Sequence, residues 1–191
     1  MHYCFHHIPK TGGSSLRIRL EDRADKKQIS KLDYAVGHNT TMRTPGTHFV
    51  WLRDPLHRDI SQFNYDQGKG EAEAKTFEEH CTRLAGNFMT LWLYKNYLLC
   101  DPNDDIERKY NAVRQALKTK FEKVFCIENF EQSWNTLAEI MNIDREPRLN
   151  TNRSNEDYEK YADKNNLSEE FIAWHKNYNH YDFQLYREFS A

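Results

Sequence analysis

"HYCFHHIPKTGGSSLRIRL", residues 2–20, decides the fold. Tyr3 to Ile8 are apolar or aromatic with two histidines between them and stop at Pro9, which predicts a short strand. Gly12 and Gly13 then make a turn, and from Ser14 the apolar side chains Leu16 and Leu20 recur at i and i+4, which predicts a helix with Ser14 or Ser15 as its N-cap. A strand, a glycine turn and a helix in this order form a recognisable physical device. The first N–H groups of the helix have no internal partner, the macrodipole adds positive potential, and glycines let the backbone close around an anion. Lys10 adds a mobile charge, and the Ser14 and Ser15 hydroxyls add donors. A group with two or three negative charges suits such a loop. The order of residues is unusual, because Lys10 precedes the glycines, whereas the lysine of a nucleoside-triphosphate P-loop follows the last of them. A Gly-Gly turn alone is equally compatible with a plain flexible connection; the strand before it and the amphipathic helix after it favour the anion site.

Working outward, "LDYAVG" (32–37), "HFVWLRD" (48–54) and "KVFCIENF" (123–130) predict three further strands. Helices are predicted over "LHRDISQFNY" (56–65), from Phe77, Phe88 and Ile106, over "EQSWNTLAEIMNI" (131–143) with Trp134, Leu137 and Ile140 or Met141 on one face, and in the aromatic tail from Ser168 to Phe189. "DQGKGEAEAK" (66–75) and "RLNTNRSNED" (148–157) are polar and predict loops. Strands alternating with helices imply an α/β fold with a parallel sheet. No internal repeat or linker is visible, so residues 1–191 are expected to form one domain.

The bulk composition narrows the function classes. Hydrophobic residues at 38% and aromatics at 14% provide for a core without disulfides or metals. A formal net charge of −2 argues against coating nucleic acid or an anionic membrane, so an anion site must be local. Cys4, Cys81, Cys100 and Cys126 are scattered with no CxxC pair, which predicts buried thiols in a reducing compartment and gives no zinc spacing. The longest apolar-leaning run, "FMTLWLYKNYLLC" (88–100), is too short to span a bilayer, and the first strand leaves no room for a signal peptide. A soluble cytoplasmic protein is expected.

The second informative stretch is "VWLRDPLHRDISQF", residues 50–63. Arg53 stands at a strand end and Ser61 lies eight residues on, about one turn into the next helix, so both can reach one phosphate at the carboxyl edge of a sheet. By itself the pair reads equally as an Arg53–Asp54 surface contact and a solvent-facing serine. Taken with the first loop, the chain resembles the sulfotransferases that use 3′-phosphoadenosine 5′-phosphosulfate (PAPS). "HIPKTGGSSL" (7–16) is similar to their 5′-phosphosulfate loop in the form found in the heparan and dermatan 2-O-sulfotransferase branch, and "LRDPLHRDIS" (52–61) to their 3′-phosphate motif. Weaker echoes run through "VGH" (36–38), "GNFMT" (86–90), 124–141 and 181–189.

The resemblance implies a three-layer, P-loop-like fold and a metal-free transfer of a sulfuryl group from PAPS to a hydroxyl, on a glycan or another small molecule. It implies that the backbone of Thr11, Gly12, Gly13 and Ser14 wraps the 5′-phosphate with the hydroxyls of Thr11, Ser14 and Ser15. Lys10 would reach the oxygen bridging phosphorus and sulfur, and Arg53 and Ser61 would bind the 3′-phosphate. The animal enzymes carry an N-terminal Golgi anchor and a longer catalytic domain; a chain without them fits a cytosolic enzyme or the trimmed catalytic domain of a Golgi-lumenal one.

Transfer to a hydroxyl requires a base, and histidine suits the task near neutral pH. His38 follows the strand "LDYAV" and a glycine and matches the "GH" position that carries the proposed base in the resembled branch; a turn-capping histidine is the plainer alternative. His7, close to the loop, is the second choice; His57 and His80 read as surface residues, and His175 and His180 as packing residues. Arg148 or Arg153 in the late polar loop would close over the nucleotide, against the alternative of a solvated loop. Trp51, Trp92, Trp134 and Trp174 read as core residues more than as stacking platforms. Two other functions stay open: a P-loop small-molecule kinase, which needs the lysine after the glycines and an acidic strand end for Mg²⁺, and a non-catalytic binder of nucleotide or glycan with the same fold.

Overall fold

The structure is a computed structural model that describes residues 2–37, 40–101, 103–145 and 161–190. Four parallel strands form its centre: β1 (Tyr3–His6), β2 (Tyr34–Gly37), β3 (Thr47–Leu52) and β4 (Lys123–Cys126), side by side in the order β2-β1-β3-β4. His6 is level with Gly37 on one side and Val50 on the other, and Leu52 is level with Cys126. The helices are α1 (Gly13–Asp25), α2 (Pro55–Lys69), α3 (Phe77–Arg83), α4 (Phe88–Trp92), α5 (Ile106–Thr119), α6 (Phe130–Met141), α7 (Glu169–Tyr178) and α8 (His180–Phe189).

Alternation along the strands builds two cores. Tyr3, Phe5, Phe49, Trp51 and Phe125 face one side, where Leu16 and Leu20 of α1 and Trp134, Leu137 and Met141 of α6 cover them. Val50, Leu52 and Cys126 face the other, against Met89, Leu93, Tyr97, Val113, Leu117 and Leu185. The expected α/β architecture, with a central parallel sheet flanked by helices, is therefore observed. A third cluster, with Leu56, Ile60, Phe63, Phe77, Cys81 and Phe183, packs α2 against α3 and the helical tail. Among the described residues no helix is long and apolar enough to cross a membrane.

Several local expectations are corrected. The N-cap of α1 is Gly12, in a left-handed conformation with φ +90°, and neither Ser14 nor Ser15 caps the helix. The stretch 66–75 is not all loop: α2 runs to Lys69, because Asp54 caps its start by accepting from the His57 N–H at 3.0 Å and Gly70, at φ +71°, closes its end. Between α4 and α5, residues Leu93–Leu98 form a π-helical turn that buries both Tyr94 and Tyr97 and that helical spacing does not announce. The tail is two helices, broken at Asn179. Cys4, Cys81 and Cys126 are buried, whereas Cys100 is exposed. His80 is buried between Phe63 and Phe77, and His180 is exposed, each opposite to its expected place.

Candidate functional site

The strand order places a topological switch point between β1 and β3: the chain leaves β1 towards β2 on one side and returns to β3 on the other. In open α/β sheets such a point is where the connecting helices diverge and ligands bind, at the carboxyl ends of the strands. The 7–12 loop after β1 and Arg53 after β3 both lie at that edge, and they touch: Arg53 Nη1 donates to the Lys10 carbonyl at 3.0 Å.

The loop is built tightly. The Thr11 N–H and hydroxyl both donate to the Ile8 carbonyl, at 3.3 and 2.9 Å, so the buried Thr11 braces the turn from inside. A Cβ on Gly12 would come within 2.2 Å of Ile127 Cδ1, and one on Gly13 within 2.2 Å of the His7 ring. Both glycines therefore answer to close packing, and Gly12 also to its positive φ. The first bond of α1 runs from the Leu16 N–H to the Gly12 carbonyl at 3.1 Å, which leaves the N–H groups before it without a helical partner. No side chain caps this end, and its first turn holds no acidic residue. Ser14 is exposed and Ser15 half-buried beside it. The chemistry of this donor set fits an anion.

Around it stand the cations Lys10 and Arg53, with the carboxylates of Asp66 and Glu128 also close. Lys10 sits at φ +68° and directs its ammonium to 4.1 Å from the centre of the Tyr65 ring. Burial, with Arg53, Lys69 and Arg58 nearby and Asp66 opposing, brings its pKa down to about 8. Burial also lowers the Arg53 pKa, against the pull of Glu128. Ser61 is almost two turns into α2, further along than the sequence spacing implied, roughly 9 Å from the helix start at 1.5 Å per residue. It shares a face with Tyr65 at i+4, and Tyr65 reaches Lys10, so that face is turned towards the loop.

Among the residues expected to act together, Lys10, Thr11, Gly12, Gly13, Ser14, Ser15 and Arg53 gather at this edge, with Ser61 on the adjoining helix. Thr11 serves the loop through its bonds to Ile8. His38, Arg148 and Arg153 lie outside the described residues. The segment on either side of His38 is anchored: the Thr40 hydroxyl lies 3.1 Å from His6 Nδ1 and 3.3 Å from the Gly37 carbonyl, and His6 Nε2 meets His48 Nδ1 at 2.8 Å. Burial first, then the neighbouring His48, brings the His6 pKa down to about 3, which keeps it neutral and structural.

Three members of the site went unread in the sequence. Tyr65 was detectable, since it follows Ser61 at helical spacing. Ile127 and Glu128 follow β4 directly; Glu128 Oε1 accepts from the Asp54 N–H at 2.9 Å and so stands beside Arg53. An acidic residue just after a strand was the available signal.

A second constellation joins α2 to α7. Asp59 takes a hydrogen bond from Arg58 on one oxygen and, at 2.8 Å, pairs its other oxygen with His175 Nε2, all three being buried. Burial alone would push the Asp59 carboxyl up, yet the His175 bond and the Arg58 charge outweigh it and hold it below the usual range. Cys81 brings a third ligand-type atom within 4.8 Å of Asp59 and His175, a grouping no sequence spacing reveals. Both Asp59 oxygens are already engaged and burial pushes the Cys81 thiol up, so the cluster acts as a balanced internal brace. The "GNFMT" echo is also structural: Asp182 accepts from the Met89 and Thr90 N–H groups at 2.7 and 2.8 Å, and Asn87 Oδ1 accepts from the Tyr181 N–H at 2.9 Å.

Compared with protein-family models and with curated proteins, the chain matches none. The site is therefore read from its own geometry.

Proposed function

We propose that this chain is a sulfotransferase that moves the sulfuryl group of PAPS to a hydroxyl, on a glycan or another small molecule. The observation that carries the reading is the Arg53–Lys10 hydrogen bond at the β1/β3 switch point. It joins, at the edge where α/β ligands bind, the two stretches that resemble the 5′-phosphosulfate loop and the 3′-phosphate motif. The uncapped N-terminus of α1 supports it, because the N–H groups and macrodipole there favour a dianionic phosphate.

In this reading the Gly13, Ser14 and Ser15 N–H groups and the two serine hydroxyls hold the 5′-phosphate. Arg53 keeps Nη1 on the Lys10 carbonyl and offers its remaining donors, with the Ser61 hydroxyl, to the 3′-phosphate. PAPS supplies an activated sulfuryl group whose bond to the phosphate oxygen breaks as the acceptor oxygen bonds to sulfur in line. Lys10 carries a proton at neutral pH and stabilises the charge that grows on that oxygen, a contact worth about 3–4 kcal/mol. His38 accepts the hydroxyl proton. The kinase alternative loses ground here, since the Asp54 carboxylate is spent on the His57 N–H as a helix cap rather than free for Mg²⁺.

Calorimetric titration with 3′-phosphoadenosine 5′-phosphate tests the reading, with ADP alongside and Arg53→Ala as control. The expected result is tight bisphosphate binding, weak ADP binding and a loss of about 1.5–3 kcal/mol in the variant, the range of a charge-assisted hydrogen bond. Equal or better binding of ADP, or an Arg53→Ala protein that binds as the parent does, rejects it.

A further inference from the structure

Lys10 is held at both ends. Its backbone stands at φ +68°, a conformation that is costly for a residue with a Cβ, and Arg53 grips the carbonyl of that residue at 3.0 Å. At the other end the ammonium lies over the Tyr65 ring, 4.1 Å from its centre. Lys69, one turn further along α2, brings a second ammonium to 4.3 Å from the same ring. Two cations sharing one ring repel each other; Asp66 offsets part of this electrostatically, but among the described residues it makes no close ion pair with Lys10. The ring face accommodates the charge by its quadrupole without neutralising it. An anion at the start of α1 offers the same ammonium full neutralisation.

We propose that Tyr65 is a positioning residue that acts through Lys10: its ring and an anion bound at the N-terminus of α1 compete for the Lys10 ammonium. The inference rests on the anion-binding reading of the loop. Its consequence runs against ordinary expectation for a residue lining a site. Removing the ring removes the competitor, so anion binding strengthens while the lysine loses its fixed resting place. Arg53 keeps the loop backbone in place throughout, so the exchange needs side-chain rotation of Lys10 alone.

Two readouts test this on the whole chain. Trace acetylation with acetic anhydride, read at each lysine by peptide mass spectrometry, reports how freely the Lys10 amine is presented. Titration with inorganic sulfate and with 3′-phosphoadenosine 5′-phosphate reports the anion affinity. In Tyr65→Leu, Lys10 acetylation is expected to rise about threefold and anion affinity to tighten about two- to fivefold, the equivalent of an exposed cation–π contact. Tyr65→Phe, which keeps the ring, is expected to restore the parent's behaviour in both. Weaker binding in Tyr65→Leu, unchanged acetylation, or a Tyr65→Phe protein that behaves like Tyr65→Leu overturns the role of the ring while leaving the loop's anion site standing. Failure of both anions to bind the parent chain overturns the anion reading and the competition with it; in that case a Lys10 acetylation change in Tyr65→Leu identifies a ring contact with no ligand role.

Discussion

Helix α2 borders two charged neighbourhoods, and they are built on opposite logic. Around Asp59, Arg58 and His175 pair with the carboxylate: the guanidinium meets one oxygen, the imidazole meets the other, and all three side chains are out of solvent, with Arg58 Nη1 and His175 Nδ1 left without a hydrogen-bond partner. In the neighbourhood of the loop, Lys10 and Arg53 are half-buried, and their direct contacts are a tyrosine ring and a backbone carbonyl, with the carboxylates of Asp66 and Glu128 acting on them electrostatically. Burying charge is expensive unless it is matched. The inner carboxylate is engaged on both oxygens within the protein, whereas the outer cations stand beside an uncapped helix start, which in the proposed reading receives an anion. That difference separates a brace from a site more clearly than burial or shifted acidity does, since both neighbourhoods show these.

The largest expected effect lies in the inner neighbourhood. Asp59→Asn keeps the shape but leaves the Arg58 guanidinium, 1% exposed, without its carboxylate. Breaking a buried pair in this way costs about 3–5 kcal/mol of stability, read by urea denaturation. Because Arg58 also acts electrostatically on Lys10 and Arg53, the anion affinity of the folded protein should move as well, but by far less than the stability does. A larger loss of affinity would break the comparison and make Asp59 part of the ligand machinery.

The glycine turn gives an intermediate effect with a built-in control. Gly13→Ala drives a Cβ to 2.2 Å from the His7 ring, an overpacking that costs about 1–3 kcal/mol and pushes the start of α1 out of place. Adding His7→Ala should recover both stability and anion affinity, because the clash is steric. Gly12→Ala should not be recovered by Ile127→Ala, although the side-chain clash has the same depth, since φ +90° remains strained for alanine. If Gly13→Ala folds and binds like the parent, the turn is an ordinary flexible connection and the contrast between the two neighbourhoods loses its functional meaning.

The outer neighbourhood was largely legible because its physics is local. A strand, two glycines and an apolar i, i+4 pair specify a loop and a helix start within a dozen residues, and the α/β alternation puts Arg53 on the same edge. What the sequence hid depends on long-range packing or on caps. Ser14 and Ser15 look like caps, but the left-handed Gly12 takes the position and frees them. Gly68 looks like a helix breaker, but strong caps at Asp54 and Gly70 carry α2 past it, which is what sets Lys69 over Tyr65. The inner set joins α2 to α7 across more than a hundred positions, with Cys81 of α3 beside it, and no spacing rule connects them. Glu128 reaches the site only because β4 pairs beside β3.

The smallest effect separates the two neighbourhoods on the pH axis. The folded-state pKa of Asp59 is depressed, so its stabilisation is present above its unfolded value and is lost only as pH falls through the folded one. Lys10 acts at the other end: its pKa of about 8 makes the ammonium the form that holds an anion at neutral pH, and the charge is lost as pH rises. Above pH 7 the phosphates of 3′-phosphoadenosine 5′-phosphate are themselves fully charged, with second pKa values near 6. Its affinity, followed by calorimetry, should therefore decline on the alkaline side by at most about tenfold per pH unit, with no matching change in stability from Asp59. Arg53→Ala binds more weakly but should shift the decline to higher pH, because the Arg53 charge is one of the causes that lower Lys10. A flat profile removes Lys10 from the anion. A decline whose midpoint ignores Arg53→Ala would mean that the two cations, although one holds the other's carbonyl, do not share a ligand.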